Sequence, residues 1–440
     1  MEDNSKIIFE GNLQTKEKLF DIDKDKSLKR NEKIKDKSNF FSKEKKVINK
    51  NKNDTINNNK KLVINNTIIK KIRNPGVDLL RIITMNIIIV HHIIFNGGAG
   101  QYFPQYRRQV DIWDIFANWH NGAFLIISGI VGYKTNKYSN LLYLYLTVSI
   151  YSIAIHKYIK YSKNNFNLTN DDINQAYYPM IFSKYWYFTS YFGMYLFLPV
   201  INNGIAHLTK GELILTIMSL IGILVIWHDY KNPNNDVFHL CNGDSIIWFL
   251  TTYLIGAFIG KYRVVYSGIR KYIYCLTCLF IYFLTSYLGF KVSKNELDLG
   301  KGYFQIQIAN IIKRLLINRL CSLLRFLQYL NICLFFMQIN YNKYLAKIIC
   351  FFGPLVFGIY IMHMDRFIRE NYVMNYLKSV SKNLSLYSFF GLIFLKAFKI
   401  FIICATIDYL RHLLFTLLRL KKIFIYIEKK IIEILNFNLR

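Results

Sequence analysis

The chain contains few acidic residues and few cysteines for its length. Its 440 residues include 27 Asp and Glu against 57 Lys and Arg, which gives a formal net charge of +30. Eleven of the acidic residues lie in residues 1–73, so only 16 remain for the other 367 residues. Those 367 residues also hold all but four of the aromatic side chains. This composition excludes an ordinary soluble enzyme with a charged surface and favours a polytopic membrane protein with a polar tail.

The excess of basic residues does not indicate nucleic-acid binding, because after residue 73 they interrupt apolar runs and do not line one face. The seven cysteines predict no disulfide framework, since their number is odd and most lie in apolar runs. Cys275 and Cys278 form a CxxC pair in the run Tyr272–Phe290, but no second Cys or His pair follows at a suitable spacing. We therefore expect no metal site.

Residues 1–73 form a segment rich in Lys and Asn. Its apolar stretches, Ile7–Phe9 and Leu62–Ile64, are too short for the apolar region of a signal peptide. Such a composition cannot bury enough apolar surface to fold alone, so we expect a disordered cytoplasmic tail.

After Pro75 the sequence consists of apolar segments close to the roughly 20 residues that a helix needs to cross a bilayer. The predicted fold class is all-α, a polytopic membrane helical bundle with about ten transmembrane helices. The basic segment Tyr303–Leu320 is interpreted as an amphipathic helix in the interface. The predicted spans are Leu79–Phe95, Ile112–Tyr133, Leu141–Tyr158, Tyr185–Ile201, Leu213–Trp227, Ser245–Gly260, Tyr272–Phe290, Leu323–Gln338, Ile348–Met362 and Leu386–Tyr409.

The loop charges predict the orientation, because cytoplasmic loops carry an excess of Lys and Arg. Basic and acidic loops alternate, and ten spans with both termini in the cytoplasm satisfy almost all of them. The exceptions are Arg107 with Arg108 and the cluster Lys313–Arg319, which fall on the outer side. We expect an integral, multi-pass membrane protein with both termini cytoplasmic.

The last thirty residues, from Arg411 to Arg440, alternate Leu, Ile and Phe with Lys and Arg at helical spacing. This pattern predicts a basic amphipathic helix on the cytoplasmic surface, held by apolar burial and by anionic membrane lipids. A partly disordered basic tail is the alternative. The predicted domains are the tail 1–73, a membrane domain 74–410 and the C-terminal helix 411–440.

The first span is a candidate for function because charges and imidazoles inside a span are costly. Eleven residues of helix turn through about 1,100° and rise about 16.5 Å, so Arg81 and His92 share one face. His91 points about 80° away from that face. The helix presents a cation near the cytoplasmic boundary and an imidazole near the opposite one. Alternatively, Arg81 pairs with Asp78 and His92 caps the helix end.

Four further segments follow this helix, and the set resembles the acyltransferase 3 family of membrane acyltransferases in order and spacing. The resemblance is strongest to members that acylate polysaccharides and surface sugars, and it covers about residues 74–410. The segments are Asn118–Gly129, Tyr185–Asn202, Ile247–Gly260 and Phe352–His363.

The resemblance implies a multi-helix membrane domain that moves an acyl group, often acetyl, from acyl-CoA to a hydroxyl of a carbohydrate. The family pattern of Arg or Lys, ten residues and His matches Arg81 and His92, and it selects His92 over His91. The His of the family's Gly-x-Tyr-x-x-His segment matches His363, and the predicted orientation places His363 at the same outer end as His92. We expect both to be catalytic and to face one cavity.

The family's Ser-Gly pair matches Ser128 and Gly129. Its Arg-x-x-Arg segment is replaced by Lys134-Thr-Asn-Lys137, which keeps the charge but loses bidentate recognition of phosphate by guanidinium.

The expected chemistry follows from these residue types. A sugar hydroxyl is a poor nucleophile, and an imidazole with a reference pKa of about 6.5 can accept its proton or carry the acyl group itself. The thioester oxygen gains negative charge and needs a donor, for which Ser128 and Asn121 are candidates.

The remaining candidates bind the substrates. The expected donor is acyl-CoA, in particular acetyl-CoA, and its phosphates need the cations Arg81, Lys134 and Lys137. Trp186 and Trp248 are candidates for stacking on the carbohydrate acceptor, although aromatic belts also place Trp near bilayer boundaries.

Two other functions remain open. A transporter or flippase for a glycan or a lipid-linked sugar would use the same polar cavity without covalent chemistry. It would favour discontinuous helices and internal repeats, and the sequence shows no clear inverted repeat. A degenerate, non-catalytic membrane protein is the third interpretation.

Overall fold

The computed structural model describes residues 73–135, 137–162, 169–227, 240, 243–263, 266–293 and 322–438. The regular elements among these residues are all helices, which confirms the all-α fold class. The predicted tail up to residue 72 and the predicted interfacial segment 303–320 lie outside the described residues.

The α-helices are listed here in chain order. They are α1 (Pro75–Phe95), α2 (Ala99–Tyr102), α3 (Arg107–Ala117), α4 (His120–Gly132), α5 (Tyr138–Ser162), α6 (Asn170–Tyr177), α7 (Trp186–His207), α8 (Lys210–Ile221), α9 (Ile246–Lys261), α10 (Gly268–Ser293), α11 (Leu323–Gln338), α12 (Lys343–Phe352), α13 (Val356–Met364), α14 (Arg366–Tyr372), α15 (Leu386–Leu417) and α16 (Leu420–Asn438). Short 3₁₀ turns cover Pro104–Tyr106, Gly353–Leu355 and Tyr376–Ser379, and a π-helical stretch covers Gly222–Trp227.

Six helical stretches among the described residues are long and apolar enough to cross a bilayer, and each coincides with a predicted span. They support an integral, multi-pass membrane protein, whereas the count of ten spans and the cytoplasmic termini stay predictions. Two more predicted spans coincide with α9 and α11, apolar helices of 16 residues each. The six are Pro75–Phe95, Pro104–Gly132, Tyr138–Tyr161, Gly268–Lys291, Lys343–Met364 and Leu386–Leu417.

The start of α1 is fixed by its sequence. Pro75 occupies the first turn, where its missing N–H needs no partner. The side chain of Asn74 accepts a hydrogen bond from the backbone nitrogen of Gly76 at 2.9 Å, which caps the helix. After the helix ends, Gly98 takes a positive φ of 86° and turns the chain into α2.

The apolar core is built on both ends of α1. Val77 and Leu80 belong to one buried cluster with side chains from α4, α7, α9 and α11. The segment from Met85 to Ile94 contributes to a second cluster with α5, α13 and α15. Because α1 packs on both clusters, its polar side chains are held in fixed positions relative to the whole bundle.

Glycines allow α4 and α9 to pack closely. A Cβ at Gly129 would overlap the backbone of Tyr253, and one at Gly256 would overlap the backbone of Ile126. Gly260 also faces α4, so Gly256 and Gly260 form a small-xxx-small pair of the kind that brings membrane helices together. The Gly129 of the Ser-Gly pair therefore serves helix packing.

The second predicted span is interrupted by the turn between α3 and α4. The carbonyls at the end of α3 are bonded by side chains from other helices, as a break inside a membrane protein requires. Arg325 donates to the Ile115 carbonyl at 2.8 Å, and Gln328 donates to the same oxygen at 3.3 Å. Tyr282 donates to the carbonyl of Phe116 at 2.5 Å.

A buried ion pair ties α15 to α5. Asp408 is fully buried and accepts hydrogen bonds from Tyr151 at 2.7 Å and from two nitrogens of Arg411 at 2.9 Å each. Gly358 on α13 lies against this carboxylate, since a Cβ there would overlap it. Arg411, which the charge pattern assigned to the C-terminal surface helix, is therefore part of α15.

The last helix begins after Arg419, which has a positive φ of 53°. Its Glu428 accepts hydrogen bonds from the backbone nitrogens of Tyr138 at 2.6 Å and Ser139 at 3.2 Å. These are unpaired donors at the start of α5, so the carboxylate caps that helix.

Candidate functional site

Two cavities lie along α1, one near each end. The first, the Arg81 cavity, has a volume of about 270 Å³ and a mostly apolar wall. Its polar lining consists of Arg81, Asn121, Ser128, Tyr187, Tyr191 and Tyr360. The second, the His92 cavity, has a volume of about 440 Å³ and a mostly polar wall. Its charged and ring-bearing lining includes His91, His92, Lys184, Trp186, Arg366 and Arg369.

Arg81 combines the two roles that the sequence left open. It donates to Asp78 at 2.7 Å, as the spacing of three residues predicted, and it also lines the cavity. Asp78 is buried and forms a second ion pair with Arg73. Two guanidinium groups therefore share one carboxylate, which leaves a net positive charge at this end of α1.

The other polar groups of the Arg81 cavity differ in what they can donate. Ser128 donates its hydroxyl hydrogen to the Phe124 carbonyl at 2.8 Å, so in this geometry it is committed to its own helix. The side-chain oxygen of Asn121 lies 3.0 Å from Nδ1 of His120. That contact leaves the amide N–H groups of Asn121 as the better candidate donor to a thioester oxygen.

His92 lines the second cavity and is held by a neighbour on the same helix end. The amide nitrogen of Asn96 donates to Nδ1 of His92 at 3.2 Å, which places the ring proton on Nε2. A half-turn of that amide would present its oxygen to Nδ1–H and leave Nε2 as an acceptor. The orientation of the Asn96 amide therefore determines the tautomer of His92.

His363 lies next to His92, but it lines neither cavity, so the expectation that both histidines face one cavity is wrong. The ring centroids are 5.7 Å apart, and His363 is 2% exposed. Its Nδ1–H donates to the Ile359 carbonyl at 2.8 Å, while its Nε2 is buried without a partner among the described residues. In this tautomer Nε2 carries a free lone pair, which is the form a general base needs.

Two further histidines extend the cluster. The ring of His91 lies 5.4 Å from that of buried His120, and His91 also contacts His92 at 6.1 Å. The nearest carboxylate to His91 is Asp114 at 3.9 Å. Among the described residues no three His, Cys, Asp or Glu side chains are arranged to hold a metal ion.

Aromatic rings connect the two cavities. Tyr187 and Tyr360 line the Arg81 cavity with ring centroids 5.9 Å apart. Tyr360 lies 6.2 Å from His363, and Tyr187 lies 5.6 Å from Trp186 of the other cavity. Both tyrosine hydroxyls are buried without a hydrogen-bond partner among the described residues. Sequence reasoning missed both tyrosines, although each stands inside a segment that carried the resemblance.

A second buried ion pair fixes the chain beyond His363. Lys184 contacts Asp365 at 2.8 Å, with side-chain exposures of 4% and 0%. Tyr185 donates to the same carboxylate at 3.0 Å, and Lys184 also donates to Ser152 at 3.0 Å. The sequence signal for this pair was an acid two residues after a candidate histidine, and its partner could not be read from the chain alone.

The structure does not bring every predicted site residue to a cavity. Lys134 and Lys137 are exposed in the loop between α4 and α5 and line neither cavity. Trp186 lines the His92 cavity. Trp248 is 1% exposed in the apolar core and lines neither cavity, because α9 turns it toward α4, α7 and α11.

Comparison with known proteins agrees with this architecture. A family model described as an acyltransferase domain matches residues 74–409, which include every residue of both cavities. Neither a curated protein nor a solved structure matches the chain. Since the match covers more than three quarters of the sequence, the chain belongs to the acyltransferase 3 family.

Proposed function

We propose that the protein moves an acyl group, acetyl in the simplest case, from acyl-CoA to a hydroxyl of a carbohydrate or other surface acceptor. The observation that carries the proposal is the placement of Arg81 and His92 on one helix, each in a different cavity. Family membership supports a membrane acyltransferase, and the proposal adds the donor, the acceptor and the catalytic groups.

The Arg81 cavity fits the acyl-thioester end of the donor. Its apolar wall accommodates an acyl chain, and the net positive charge of Arg81 and Arg73, which share one carboxylate, attracts an anionic or carbonyl group. Asn121 supplies an amide N–H toward the thioester oxygen as negative charge develops there. Lys134 and Lys137, exposed in their loop, would hold CoA phosphates outside the cavity.

The His92 cavity fits the acceptor. With the Asn96 amide turned so that its oxygen accepts from Nδ1–H, Nε2 of His92 removes the proton from the attacking hydroxyl, or takes the acyl group first and passes it on. His363 stands behind it with Nε2 available, so it can accept or return the proton. Trp186 offers an aromatic face to a sugar ring.

Replacement of His92 by Ala tests the catalytic assignment. Membranes that contain the full chain are given labelled acetyl-CoA, and label is counted in lipid, glycan and protein fractions. We expect transfer to fall by about 10²- to 10⁴-fold, the usual contribution of a general base. His363→Ala should also lower kcat, because the second imidazole is in contact with the first.

Two variants serve as controls. His91→Ala removes an adjacent imidazole that the family pattern does not select, and we expect a smaller loss. His412→Ala changes an exposed histidine outside both cavities and should leave transfer unchanged. Wild-type transfer by His92→Ala would refute the mechanism, and glycan uptake into vesicles without acyl-CoA would favour a transporter instead.

A further inference from the structure

The His92 cavity contains an unusual number of cations. Lys184, Arg366 and Arg369 line it, and none of its described lining residues is acidic. The Arg81 cavity, by contrast, has one cation among its lining residues. A cavity with such a wall attracts anions, so the pairing of each cation decides how much charge is available to a ligand.

Two of the three cations are already neutralised. Lys184 is buried against Asp365 at 2.8 Å. Arg366 contacts Glu370 at 2.8 Å and Asp172 at 3.3 Å, so it has two carboxylate partners. None of these carboxylates lines the cavity, and their cations have little charge left for a ligand.

Arg369 is different. It is half-buried, it lines the cavity, and its side chain has no hydrogen bond or ion pair with any other described residue. Its backbone is held within α14, where the carbonyl accepts hydrogen bonds from Val373 at 3.0 Å and Met374 at 2.8 Å. Asp365 caps the start of this helix through the nitrogen of Phe367 at 3.0 Å. A fixed backbone thus presents an uncompensated guanidinium to the space that His92 lines.

We propose that the acceptor carries an anionic group, a carboxylate or a phosphate, which Arg369 binds in the His92 cavity. This inference rests on the proposed function, because it assigns the anion to the acceptor. The binding itself does not require acyl transfer. A guanidinium offers a planar fork of donors that matches both anions bidentately. Trp186, Asn96 and Gln175 line the same cavity and can contact the ring and hydroxyls of an acidic sugar.

CoA phosphates are the other possible source of the anion. The geometry disfavours them, because Arg81, which lines the other cavity, lies eleven residues from His92 on α1. The rings of Tyr187 and Tyr360 lie between the two cavities. Competition between acetyl-CoA and the probe separates the two sources.

The test is a binding titration of the full chain in detergent, with the fluorescence of Trp186 as the readout. The probes are methyl glucuronide and methyl glucose 6-phosphate, with methyl glucoside as the neutral reference. We expect at least one anionic probe to bind about tenfold or more tightly than methyl glucoside, as a charge-assisted hydrogen bond predicts. Arg369→Gln should bring the affinities for the three probes together, and Trp186→Phe should remove the signal.

The matched control is Arg270→Gln, which neutralises an exposed arginine of α10 outside both cavities and should keep the preference for the anion. Equal affinity for the charged and neutral probes in the wild type, or no change with Arg369→Gln, would overturn the proposal. So would competition by acetyl-CoA, which would assign Arg369 to the donor. If anions bind as expected but His92→Ala still transfers acyl groups, only the proposed mechanism fails.

Discussion

The two cavities along α1 differ in both chemistry and construction. The Arg81 cavity is smaller and mostly apolar, and its one cation shares a carboxylate with Arg73. The His92 cavity is larger and polar, and it contains imidazoles and the guanidinium of Arg369, which is unpaired among the described residues. Under the proposed function, the same helix would serve an apolar acyl group at one end and a polar acceptor at the other, which is the asymmetry that transfer between unlike substrates requires.

The largest expected effect comes from disturbing the packing of α13, which contributes lining residues to both cavities. Gly358→Ala places a methyl group against the carboxylate of Asp408, beside residues of α13 that line the Arg81 cavity. We expect a loss of about 1–3 kcal/mol or more in the free energy of unfolding, typical of overpacking in a core. The effect is measured as thermal stability in detergent, with size-exclusion chromatography after heating as the readout.

Gly391→Ala is the control for that variant. Gly391 lies in α15 with no atom near its missing Cβ, so a methyl group meets open space. Replacement of glycine by alanine inside an exposed helix stabilises the helix by about 1 kcal/mol. Equal stability of the two variants would show that Asp408 does not require the close approach of α13.

An intermediate effect is expected when the cation of the apolar cavity is removed. Arg81→Gln should raise KM for acyl-CoA by about tenfold, because a charge-assisted hydrogen bond is lost. KM for the acceptor should change little, and Arg369→Gln should produce the reverse pattern. Steady-state kinetics with each substrate varied in turn would measure both KM values for each variant. A rise in both KM values for both variants would show that the two cavities act as one functional site.

The smallest effect is a change in acyl-chain preference. Phe357 lines the Arg81 cavity, so Phe357→Ala should raise the ratio of butyryl to acetyl transfer by up to about tenfold, as differences of a few methylenes allow. Phe398→Ala removes an exposed phenyl ring outside both cavities and should leave the ratio unchanged. An unchanged ratio in Phe357→Ala would exclude this wall from the acyl site.

The sequence predicted features that depend on spacing within one helix. The Arg81–Asp78 pair and the placement of Arg81 and His92 along α1 follow from helical periodicity, and α1 is unbroken between them. The predicted orientation also put His363 at the same end of the bundle as His92, and their ring centroids lie 5.7 Å apart. These predictions succeeded because they required only a regular helix and a shared end of the bundle.

Features that depend on contacts between distant helices were not predicted. Trp248 was expected at the acceptor, but its helix packs on α4 and buries it in the core. The pairing of Lys184 with Asp365 joins residues 181 positions apart, and no local pattern selects one acid over another. Among the described residues Arg369 is unpaired, which the sequence could not show because the partners of Lys184 and Arg366 are known only from the fold.

The ion pair of Asp408 and Arg411 has a consequence for the limits of the folded unit. The family match ends at residue 409, between the two partners. A boundary drawn there would separate a fully buried carboxylate from its only guanidinium among the described residues, at a cost of about 3–5 kcal/mol. The unit that folds together therefore extends at least one helical turn beyond the segment that relatives share, and chimaeras with other members should join the chains after α15.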